Sequence, residues 1–247
     1  MGRKQIEQFN EKCEWLRKGV LYHRGKHDSF VKENTIEAIK GAIDDNLSIE
    51  IDVRLTKDKK VVVSHDDSLK RVFGVDKKIS DCNYEEIKEI TNNGVPLFED
   101  VLLFVNDKIG IMVEIKSNKI GELEDRVYDL LKDYKGRYVI VCFNPFTLGY
   151  FKKKDPSIIR GQLSYNYENS KFNFIFKFML RKMWFNFISK PHFISYGINR
   201  YDKKVLAKYR KKGYFIIGWT YTSEKDKEDL SKVYDNMIVE NLSIKEF

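Results

Sequence analysis

The stretch SIEIDVRLTKDKKVVVSHDDS, residues 48–68, decides the fold. Its first half alternates acids with isoleucines, and its second half is a valine run that ends in His65 and Asp66. Side chains of a strand point to opposite faces in turn, so Glu50 and Asp52 share one face and the isoleucines share the other. The pattern predicts a β-hairpin that gathers acids and a histidine at the ends of its apolar segments.

The register of this hairpin depends on where its turn closes. If the turn closes on Asp58 and Lys59, counting back along the two strands places Asp52 opposite His65. Glu50, Asp52 and His65 then converge within roughly 5 to 8 Å, the reach of direct and diagonal cross-strand neighbours. A slip of one residue would separate them, and the alternative interpretation of the acids is a solvated strand face.

Eight β-rich runs alternate with helical segments along the chain. The predicted strands are residues 20–25, 48–56, 110–117, 138–144, 158–164, 192–197, 214–220 and 236–242. Helices are predicted at 34–46, with Asn34 as N-cap and Glu37 in capping-box spacing, and at 122–134. Strands and helices in this alternation are typical of a (β/α)8 TIM barrel, although a doubly wound sheet would show the same pattern.

Composition is that of a single globular domain. The 247 residues are 42% hydrophobic and 14% aromatic, and no repeat or linker divides them, so one domain over 1–247 is predicted. Three scattered cysteines give neither a disulfide framework nor zinc-site spacing, and the first residues lack the apolar segment of a signal peptide. A cytoplasmic location is therefore expected. The net charge of +8 suits anionic partners such as phosphates, nucleic acid or an anionic lipid surface.

Charged residues and histidines fall at the C-terminal ends of the first three predicted barrel strands. They are His23 and Arg24 on the first strand, Glu50 and Asp52 on the second, and Glu114 and Lys116 on the third. In a TIM barrel this rim is where active sites are built. The sequence therefore predicts an active site at these strand ends.

These motifs together resemble the glycerophosphodiester phosphodiesterases, a barrel family that hydrolyses phosphodiesters of glycerol. The matching elements are HRG (23–25), ENTIEAI (33–39), EIDVRLTKDKKVVVSHD (50–66), VEIK (113–116) and GWT (218–220). The resemblance covers nearly the whole chain and is strongest before residue 120. The family carries a small insertion after its His-Asp motif, and residues 67–108 resemble that insertion.

The resemblance implies a metal-dependent hydrolase. A phosphodiester resists attack because it is anionic, so its site needs positive charge on the phosphoryl oxygens, an activated nucleophile and a proton for the leaving alkoxide. Glu50, Asp52 and Glu114 offer hard oxygen ligands that suit Ca²⁺ or Mg²⁺ better than zinc. By resemblance, His23 and His65 are the general acid-base pair, and which of them is the acid is left open.

The same resemblance assigns the binding of the substrate. Arg24 and Lys116 are expected to bind phosphate, with strand-end salt bridges as the alternative. Trp219 ends a predicted strand and is expected to form the floor of the substrate pocket, although core packing would also explain an aromatic residue there. Asp66 and Glu33 are expected to orient their neighbours rather than to touch the substrate.

The chain departs from the family pattern near its C-terminal end. The family usually closes its barrel with a Gly-Asp-Gly-Ile-type run that leads into Thr-Asp, whereas residues 234–242 read YDNMIVENL. Glu240 and Asn241 stand where smaller polar residues are usual. This departure leaves the edge of the substrate pocket undefined.

Residues 171–188, at the start of KFNFIFKFMLRKMWFNFISKPHF (171–193), are rich in aromatic and basic residues. On one helix they place an apolar face beside surplus phenylalanines, in a segment too charged to span a membrane. Such a segment is predicted to lie on anionic lipid or to cover a lipid-like substrate, and packing of an ordinary barrel helix explains it equally well. Similar patterns bind single-stranded nucleic acid, but no nucleic-acid motif accompanies this one, so no such partner is expected.

Three functions follow from these observations. The leading one is a metal-dependent phosphodiesterase that releases glycerol 3-phosphate and an alcohol from small deacylated phospholipids. The second is a lysophospholipase D at the membrane, which the segment 171–188 would favour. The third, a non-catalytic module that binds lipid headgroups, is disfavoured because all three carboxylates and both histidines are present. The headgroup preference and the oligomeric state stay open.

Overall fold

A computed structural model describes residues 2–117, 119–222 and 230–240. Contacts divide the chain into two compact units, Leu21–Tyr138 on its own and Met1–Val20 together with Val139–Phe247. Eight parallel strands alternate with helices along the chain. The predicted fold class, the (β/α)8 TIM barrel, is thereby confirmed.

All eight predicted barrel strands are present, and a ninth strand completes the predicted hairpin. The strands are β1 (Leu21–His23), β2 (Ser48–Leu55), β3 (Val61–Val63), β4 (Ile111–Ile115), β5 (Tyr138–Cys142), β6 (Arg160–Ser164), β7 (Phe193–Gly197), β8 (Phe215–Tyr221) and β9 (Asn236–Val239). The hairpin consists of β2 and β3. The last two residues of the predicted strand 236–242 lie outside the described residues.

Helices fill the connections between these strands. They are α1 (Arg3–Lys12), α2 (Ile36–Asp44), α3 (Lys70–Phe73), α4 (Tyr84–Ile90), α5 (Phe98–Val105), α6 (Glu122–Leu131), α7 (Pro145–Lys154), α8 (Phe174–Arg181), α9 (Asn186–Ser189) and α10 (Lys203–Lys211), with 3-10 helices at Glu14–Arg17 and Ile79–Asp81. The predicted helices at 34–46 and 122–134 correspond to α2 and α6. In the described parts of the chain, no helix has both the length and the hydrophobicity to cross a membrane.

In the unit Leu21–Tyr138, β2 is the central strand. It pairs in parallel with β1 and β4 and in antiparallel with β3. Both of its faces are buried, as is usual for a strand within a parallel sheet, and the alternation of Ile with acids therefore places Glu50 and Asp52 in the interior. The alternative interpretation, a solvated face of acids, is wrong.

The hairpin register differs by one residue from the predicted one. Val53 pairs with Val63, and the Ser64 N–H donates to the carbonyl of Asp52 at 2.9 Å. Asp52 therefore lies opposite Ser64, and the prediction that it lies opposite His65 is wrong.

The physical reason lies in the turn. The Thr56 N–H donates to the Lys60 carbonyl at 3.0 Å, and the Thr56 hydroxyl accepts from the Lys60 N–H at 2.9 Å and donates to Asp58 at 2.6 Å. Lys59 adopts a left-handed conformation with φ 65°. These contacts close a three-residue loop where a two-residue loop was predicted, and the extra residue shifts the register.

The N-cap of α2 also differs from the prediction. Thr35 has extended backbone angles, and its hydroxyl accepts from the Ala38 N–H at 3.2 Å, so Thr35 is the N-cap. Asn34, the predicted cap, adopts φ 58° instead. Its side-chain amide donates to Asp52 Oδ2 at 3.0 Å, so Asn34 belongs to the predicted site rather than to the helix.

The residues predicted as an insertion, 67–108, contain α3, α4, α5 and a 3-10 helix. A small apolar cluster holds them to the hairpin, with Val62 of β3 in contact with residues of the insertion. The members of this cluster are Val62, Leu69, Ile79, Cys82, Ile87 and Val95. The boundaries of the insertion and the single-domain assignment stay predictions.

In the other unit, β5 to β9 pair in parallel in chain order. Phe9 of α1 is buried against Phe193 and Phe215, with ring centroids 5.7 and 5.5 Å away. The Phe193 ring also lies so close to β6 that a β-carbon on Gly161 would come within 2.3 Å of it. The absence of a side chain at Gly161 therefore allows the Phe193 ring to pack against β6.

The predicted segment 171–188 is not one helix. It forms α8 and α9, and Met183 between them adopts φ 52°, which ends the first helix. None of the residues of α8 is fully buried, whereas Met183, which follows the helix, is buried. Aromatic and aliphatic side chains of this segment are exposed instead.

His192, next to β7, should make stability fall in acid. The Arg160 N–H donates to Nδ1 of His192 at 3.1 Å, so a second proton on the ring has no acceptor there. Burial, and then the charge of Arg160, lower the pKa of His192 from 6.5 to about 3. Because the unfolded chain protonates this residue below pH 6.5 and the folded chain does not, stability is full above pH 6.5 and falls by roughly 1 kcal/mol per pH unit toward pH 3.

Urea unfolding between pH 4 and pH 8 checks this expectation. In His192→Asn, the amide oxygen replaces Nδ1 as acceptor and cannot be protonated, so the variant should lose less stability than the wild type between pH 6.5 and pH 4. Parallel pH profiles for the two proteins would contradict it.

Candidate active site

Three carboxylates meet where β2 and β4 lie side by side. The strand register pairs Asp52 with Glu114, and Glu50 precedes Asp52 by one strand repeat. Their exposed fractions are 4% for Glu50, 1% for Asp52 and 8% for Glu114. One oxygen from each lies within 4.8 Å of the others. The structure thus brings together the three residues predicted as metal ligands.

Burial and mutual repulsion shift the pKa values of these carboxyl groups. Burial first, and then the charges of Asp52 and Glu114, raise the pKa of Glu50 well above its ordinary value. Burial also raises the pKa of Glu114, to about 7, against the attraction of Lys116. For Asp52, burial acts upward, but nearby cations, Lys116 foremost, bring its pKa below the ordinary value. Asp52 is therefore the carboxylate that stays charged, and the other two need a further cation to ionise fully.

The two predicted phosphate-binding cations lie against this cluster. Lys116 Nζ is 3.1 Å from Asp52 Oδ1 and 2.6 Å from Glu114 Oε1. Arg24 Nε is 3.5 Å from Asp52 Oδ2, and its Nη1 donates to Glu33 at 2.8 Å. Burial acts to lower the pKa of Lys116, but Asp52 and Glu114 raise it above the ordinary value. Both cations are therefore charged and adjacent to the place where an anionic substrate would meet the carboxylates.

The loop after β1 brings Arg24 to the carboxylates. Arg24 has φ 57° and its N–H donates to the Glu50 carbonyl at 2.7 Å. Gly25 follows with φ 82°, and a β-carbon there would lie 2.9 Å from Ala38. Only glycine fits this approach to α2, so the motif His23-Arg24-Gly25 is explained by backbone geometry as well as by charge.

Two oxygens of the cluster accept no hydrogen bond from the described residues, Glu50 Oε2 and Asp52 Oδ1, and of these only Asp52 Oδ1 has the Lys116 ammonium 3.1 Å away. Glu50 Oε2 is buried and accepts no hydrogen bond from any residue within 2–117, 119–222 and 230–240. Leaving a buried carboxylate oxygen without a partner is costly, and a hard divalent cation would satisfy it. The residues present thus fit a metal ion, which Glu50, Asp52 and Glu114 would hold. When bound, such an ion polarises phosphoryl oxygens as a Lewis acid.

His65 is held by a chain of charged residues. Its Nδ1 lies 2.7 Å from Asp66 Oδ1. Because a carboxylate only accepts, Nδ1 carries the proton and Nε2 is the nitrogen available for proton transfer. Asp66 accepts from Arg71 Nε at 2.6 Å, and Arg71 donates twice to Glu33 at 2.7 Å. Glu33 in turn accepts from Arg24, which joins this chain to the carboxylate cluster.

These contacts also shift the pKa values of His65 and Glu33. Burial lowers the pKa of His65 below its ordinary value, and Asp52 and Asp66 oppose this in part. Burial acts to raise the pKa of Glu33, but hydrogen bonds and charge from Arg71 and Arg24 lower it. Glu33 is thus an ionised link between the two arginines.

His23, the second predicted catalytic residue, ends β1 opposite Glu50. Its Nε2 lies 3.8 Å from Glu50 Oε2, and its side chain is mostly buried. All the predicted site residues of the unit Leu21–Tyr138 therefore converge on one place. Sequence reasoning missed Asn34 as a partner of Asp52 and Arg71 as a partner of Glu33; the only signal for Arg71 was its charge, because it lies outside the motifs.

Trp219, the predicted pocket floor, lies in the other unit at the end of β8. Its ring packs edge-on against Phe143 and against Tyr165, with centroids 5.5 and 6.2 Å away, and it lines a cavity of about 820 Å³. Next to it, the Glu240 N–H donates to the Tyr221 carbonyl at 2.9 Å. Asn241, the other departure from the family pattern, lies outside the described residues. The role of Trp219 stays a prediction.

A TIM barrel with this cluster of carboxylates, histidines and cations at its strand ends is a phosphoric diester hydrolase. A model of the glycerophosphoryl diester phosphodiesterase family matches residues 23–240. The chain belongs to this family, as its motifs predicted.

Similar proteins carry the same family name or a related activity. The chain is 32% identical over 160 residues to the glycerophosphodiester phosphodiesterase of Caldanaerobacter subterraneus. The aligned region covers 58% of this chain and 65% of that protein. It is 31% identical over 152 residues to human lysophospholipase D GDPD1. The aligned region covers 54% of this chain and 47% of that protein. A crystal structure of the glycerophosphodiester phosphodiesterase of Thermotoga maritima matches with a TM-score of 0.71 and 33% identity, over 89% of this chain and 93% of that one.

Glu50→Gln should separate the charge of the cluster from its ability to bind a metal. In EDTA the variant should melt at a higher temperature than the wild type, because buried Glu50 must either take up a proton on folding or keep a charge beside Asp52 and Glu114, and the neutral amide avoids both costs. With added Mg²⁺ or Ca²⁺ the wild type should gain stability, by about 2.7 kcal/mol at a concentration of 100 times Kd, and the variant should gain much less.

Thermal unfolding and titration calorimetry check both effects. Asp100→Asn, which removes an exposed acid on α5, is the matched control and should behave as the wild type does. Equal stabilisation of wild type and Glu50→Gln by either ion would remove Glu50 from the metal site.

Proposed function

We propose that this protein hydrolyses glycerophosphodiesters, the deacylated phospholipids, to glycerol 3-phosphate and an alcohol, with a divalent cation held by Glu50, Asp52 and Glu114. The observation that carries the proposal is the buried cluster of these carboxylates, with its donor-free oxygen on Glu50. A carboxylate-rich set suits Ca²⁺ or Mg²⁺, and both remain candidates. This reading explains why the cluster lies beside two cations and two histidines.

Arg24 and Lys116 are proposed to bind the phosphoryl oxygens. Both are charged and already lie against Asp52, so a bound phosphate would meet cations that are held in place before it arrives. The planar guanidinium of Arg24 can donate hydrogen bonds to two phosphoryl oxygens at once, whereas the ammonium of Lys116 acts as a point charge. Lys116 also bridges Asp52 and Glu114.

His23 and His65 are proposed to move the protons. His23 Nε2 takes the proton of the glycerol 2-hydroxyl as its oxygen attacks phosphorus in line, and His65 Nε2 gives a proton to the alcohol oxygen as its bond to phosphorus breaks. Water then opens the cyclic phosphate, with the roles reversed. Burial lowers the pKa of His65 and so works against its acid role in the free enzyme, whereas a phosphate bound nearby would raise it. The assignment of acid and base therefore stays open.

His23→Ala and His65→Ala should each lower turnover by roughly 10² to 10⁴-fold, because each removes one proton transfer. Release of glycerol 3-phosphate from glycerophosphocholine and glycerophosphoethanolamine, with and without EDTA, measures this. His27→Ala is the matched control, because His27 lies in the same loop and its Nδ1 is 3.1 Å from the Gly25 carbonyl oxygen. Near-normal turnover in both folded variants would reject the assignment, and turnover that EDTA leaves unchanged would reject the metal.

One observation favours the lysophospholipase D alternative. The segment 171–188 exposes large apolar side chains, with exposed fractions of 82% for Phe174, 70% for Ile175 and 71% for Phe187. Basic residues lie among them, as on surfaces that bind anionic lipid. The human relative of this chain is named a lysophospholipase D. We therefore keep peripheral membrane contact through 171–188 as a second proposal, alongside the predicted cytoplasmic location.

Phe174→Gln combined with Phe187→Gln should reduce pelleting of the protein with vesicles of phosphatidylglycerol and phosphatidylcholine, because both rings would insert at the lipid interface. Choline release from lysophosphatidylcholine in those vesicles should fall with it, while turnover of glycerophosphocholine should not. Leu103→Gln is the control, since Leu103 is 77% exposed but lies on α5. Wild-type protein that does not pellet would leave the segment with a structural role.

A further inference from the structure

A second cavity, of about 550 Å³, opens beside the hairpin within the unit Leu21–Tyr138. The end of β2, the hairpin turn, the residues after β4 and the start of α6 form its walls. Five basic and two acidic side chains line it, a net charge of +3. They are Arg54, Lys57, Lys59, Lys116, Lys119, Asp67 and Glu122. Its volume is in the range of small-molecule sites.

The two acids of this cavity do not neutralise its cations. Glu122 forms an ion pair with Lys59 at 2.8 Å. Asp67 accepts two hydrogen bonds from Ser80, at 3.0 Å from the N–H and 2.9 Å from the hydroxyl. In the described residues, Lys57 has no ion pair. Lys116 is paired with Asp52 and Glu114, so the positive charges available to an anionic ligand include those of Arg54 and Lys57.

Arg54 is held in place without using up its charge. Arg54 Nε donates to the His65 carbonyl at 2.8 Å, and its two terminal nitrogens have no partner in the part of the chain that the structure describes. The backbone N–H of Lys57 donates to the Cys82 carbonyl at 2.9 Å, which anchors the hairpin turn that carries this lysine at the cavity. A fixed donor such as the Arg54 guanidinium loses little conformational freedom when it binds an anion, so it suits a binding site.

Two residues connect this cavity to the candidate active site. Lys116 lines the cavity and contacts Asp52 and Glu114. Arg54 lines the cavity and holds the carbonyl of His65. In the proposed function His65 protonates the departing alcohol, so the alcohol leaves on the side where His65 and Arg54 lie.

We propose that this cavity binds an anionic substituent of the leaving alcohol, so that glycerophosphodiesters with a phosphorylated headgroup are preferred. The proposal rests on the proposed function for the position of the scissile phosphate. A phosphomonoester would take the free donors of Arg54 and the ammonium of Lys57, as charge-assisted hydrogen bonds favour. A choline or ethanolamine headgroup carries a positive charge and would gain nothing from these cations.

A matched pair of substrates tests the preference. Glycerophosphoinositol 4-phosphate and glycerophosphoinositol differ by one phosphate on the leaving alcohol. For the wild type, kcat/KM should be about tenfold or more higher for the phosphorylated substrate, and Lys57→Gln should lower this ratio about threefold to tenfold. Lys60→Gln removes an exposed lysine from the same hairpin outside the cavity and should keep the wild-type ratio. A ratio near one for the wild type, or equal effects of the two substitutions, overturns the proposal.

Binding without turnover separates this proposal from the proposed function. Inositol 4-phosphate, the product alcohol, is titrated in EDTA into wild type, Lys57→Gln and Lys60→Gln. Weaker binding by Lys57→Gln alone supports the cavity even if no phosphodiester is hydrolysed. Binding that is absent, or that both substitutions weaken equally as expected for attraction to a basic surface, overturns the proposal whatever the turnover.

Discussion

Burial of three carboxylates on two adjacent strands is the constraint on which the rest of the site depends. Moving each charge out of water costs several kcal/mol, and mutual repulsion adds to that cost. The neighbouring groups offset it: Lys116 lies between Asp52 and Glu114, and Asn34 donates to Asp52. Glu50 keeps a raised pKa and an oxygen that accepts no hydrogen bond from the described residues, so a further cation would favour its ionised form. The buried carboxylates therefore favour the binding of a positive charge at the ends of these strands.

A network of hydrogen bonds and ion pairs leads from Glu33 through Arg71 and Asp66 to His65. Arg71 lies in the segment predicted as an insertion, and its guanidinium contacts both acids at once. The insertion therefore holds a proposed catalytic residue in place, which gives it a physical reason to follow the His-Asp motif directly. Its own apolar cluster, which includes Val62 of the hairpin, keeps Arg71 at that distance.

Sequence patterns predicted the strands, and the convergence of the residues at their ends, better than the details between them. Buried strands appear in the sequence as apolar runs. The residues at their C-terminal ends converge because parallel strands of a barrel all end at the same rim. The hairpin register was out of reach because it depends on side-chain hydrogen bonds of Thr56, which add a loop residue. The cap of α2 was misplaced because Asn34 and Thr35 both suit an N-cap, and a tertiary contact of Asn34 with Asp52 decides between them. Arg71 could not be predicted, since it follows from tertiary packing alone.

The charged cavity and the aromatic segment favour different parts of a substrate. A phosphodiester has two alcohol substituents. The cations of the cavity are proposed to bind the alcohol that leaves, whereas the exposed phenylalanines are proposed to contact an acyl chain, which a lysolipid carries on its glycerol. The two features are therefore chemically independent, and either can hold without the other. A small zwitterionic diester would engage neither feature. In the proposed function the carboxylates and histidines act only on the phosphate and on the two oxygens that flank it, so their proposed roles are the same for each of these substrates.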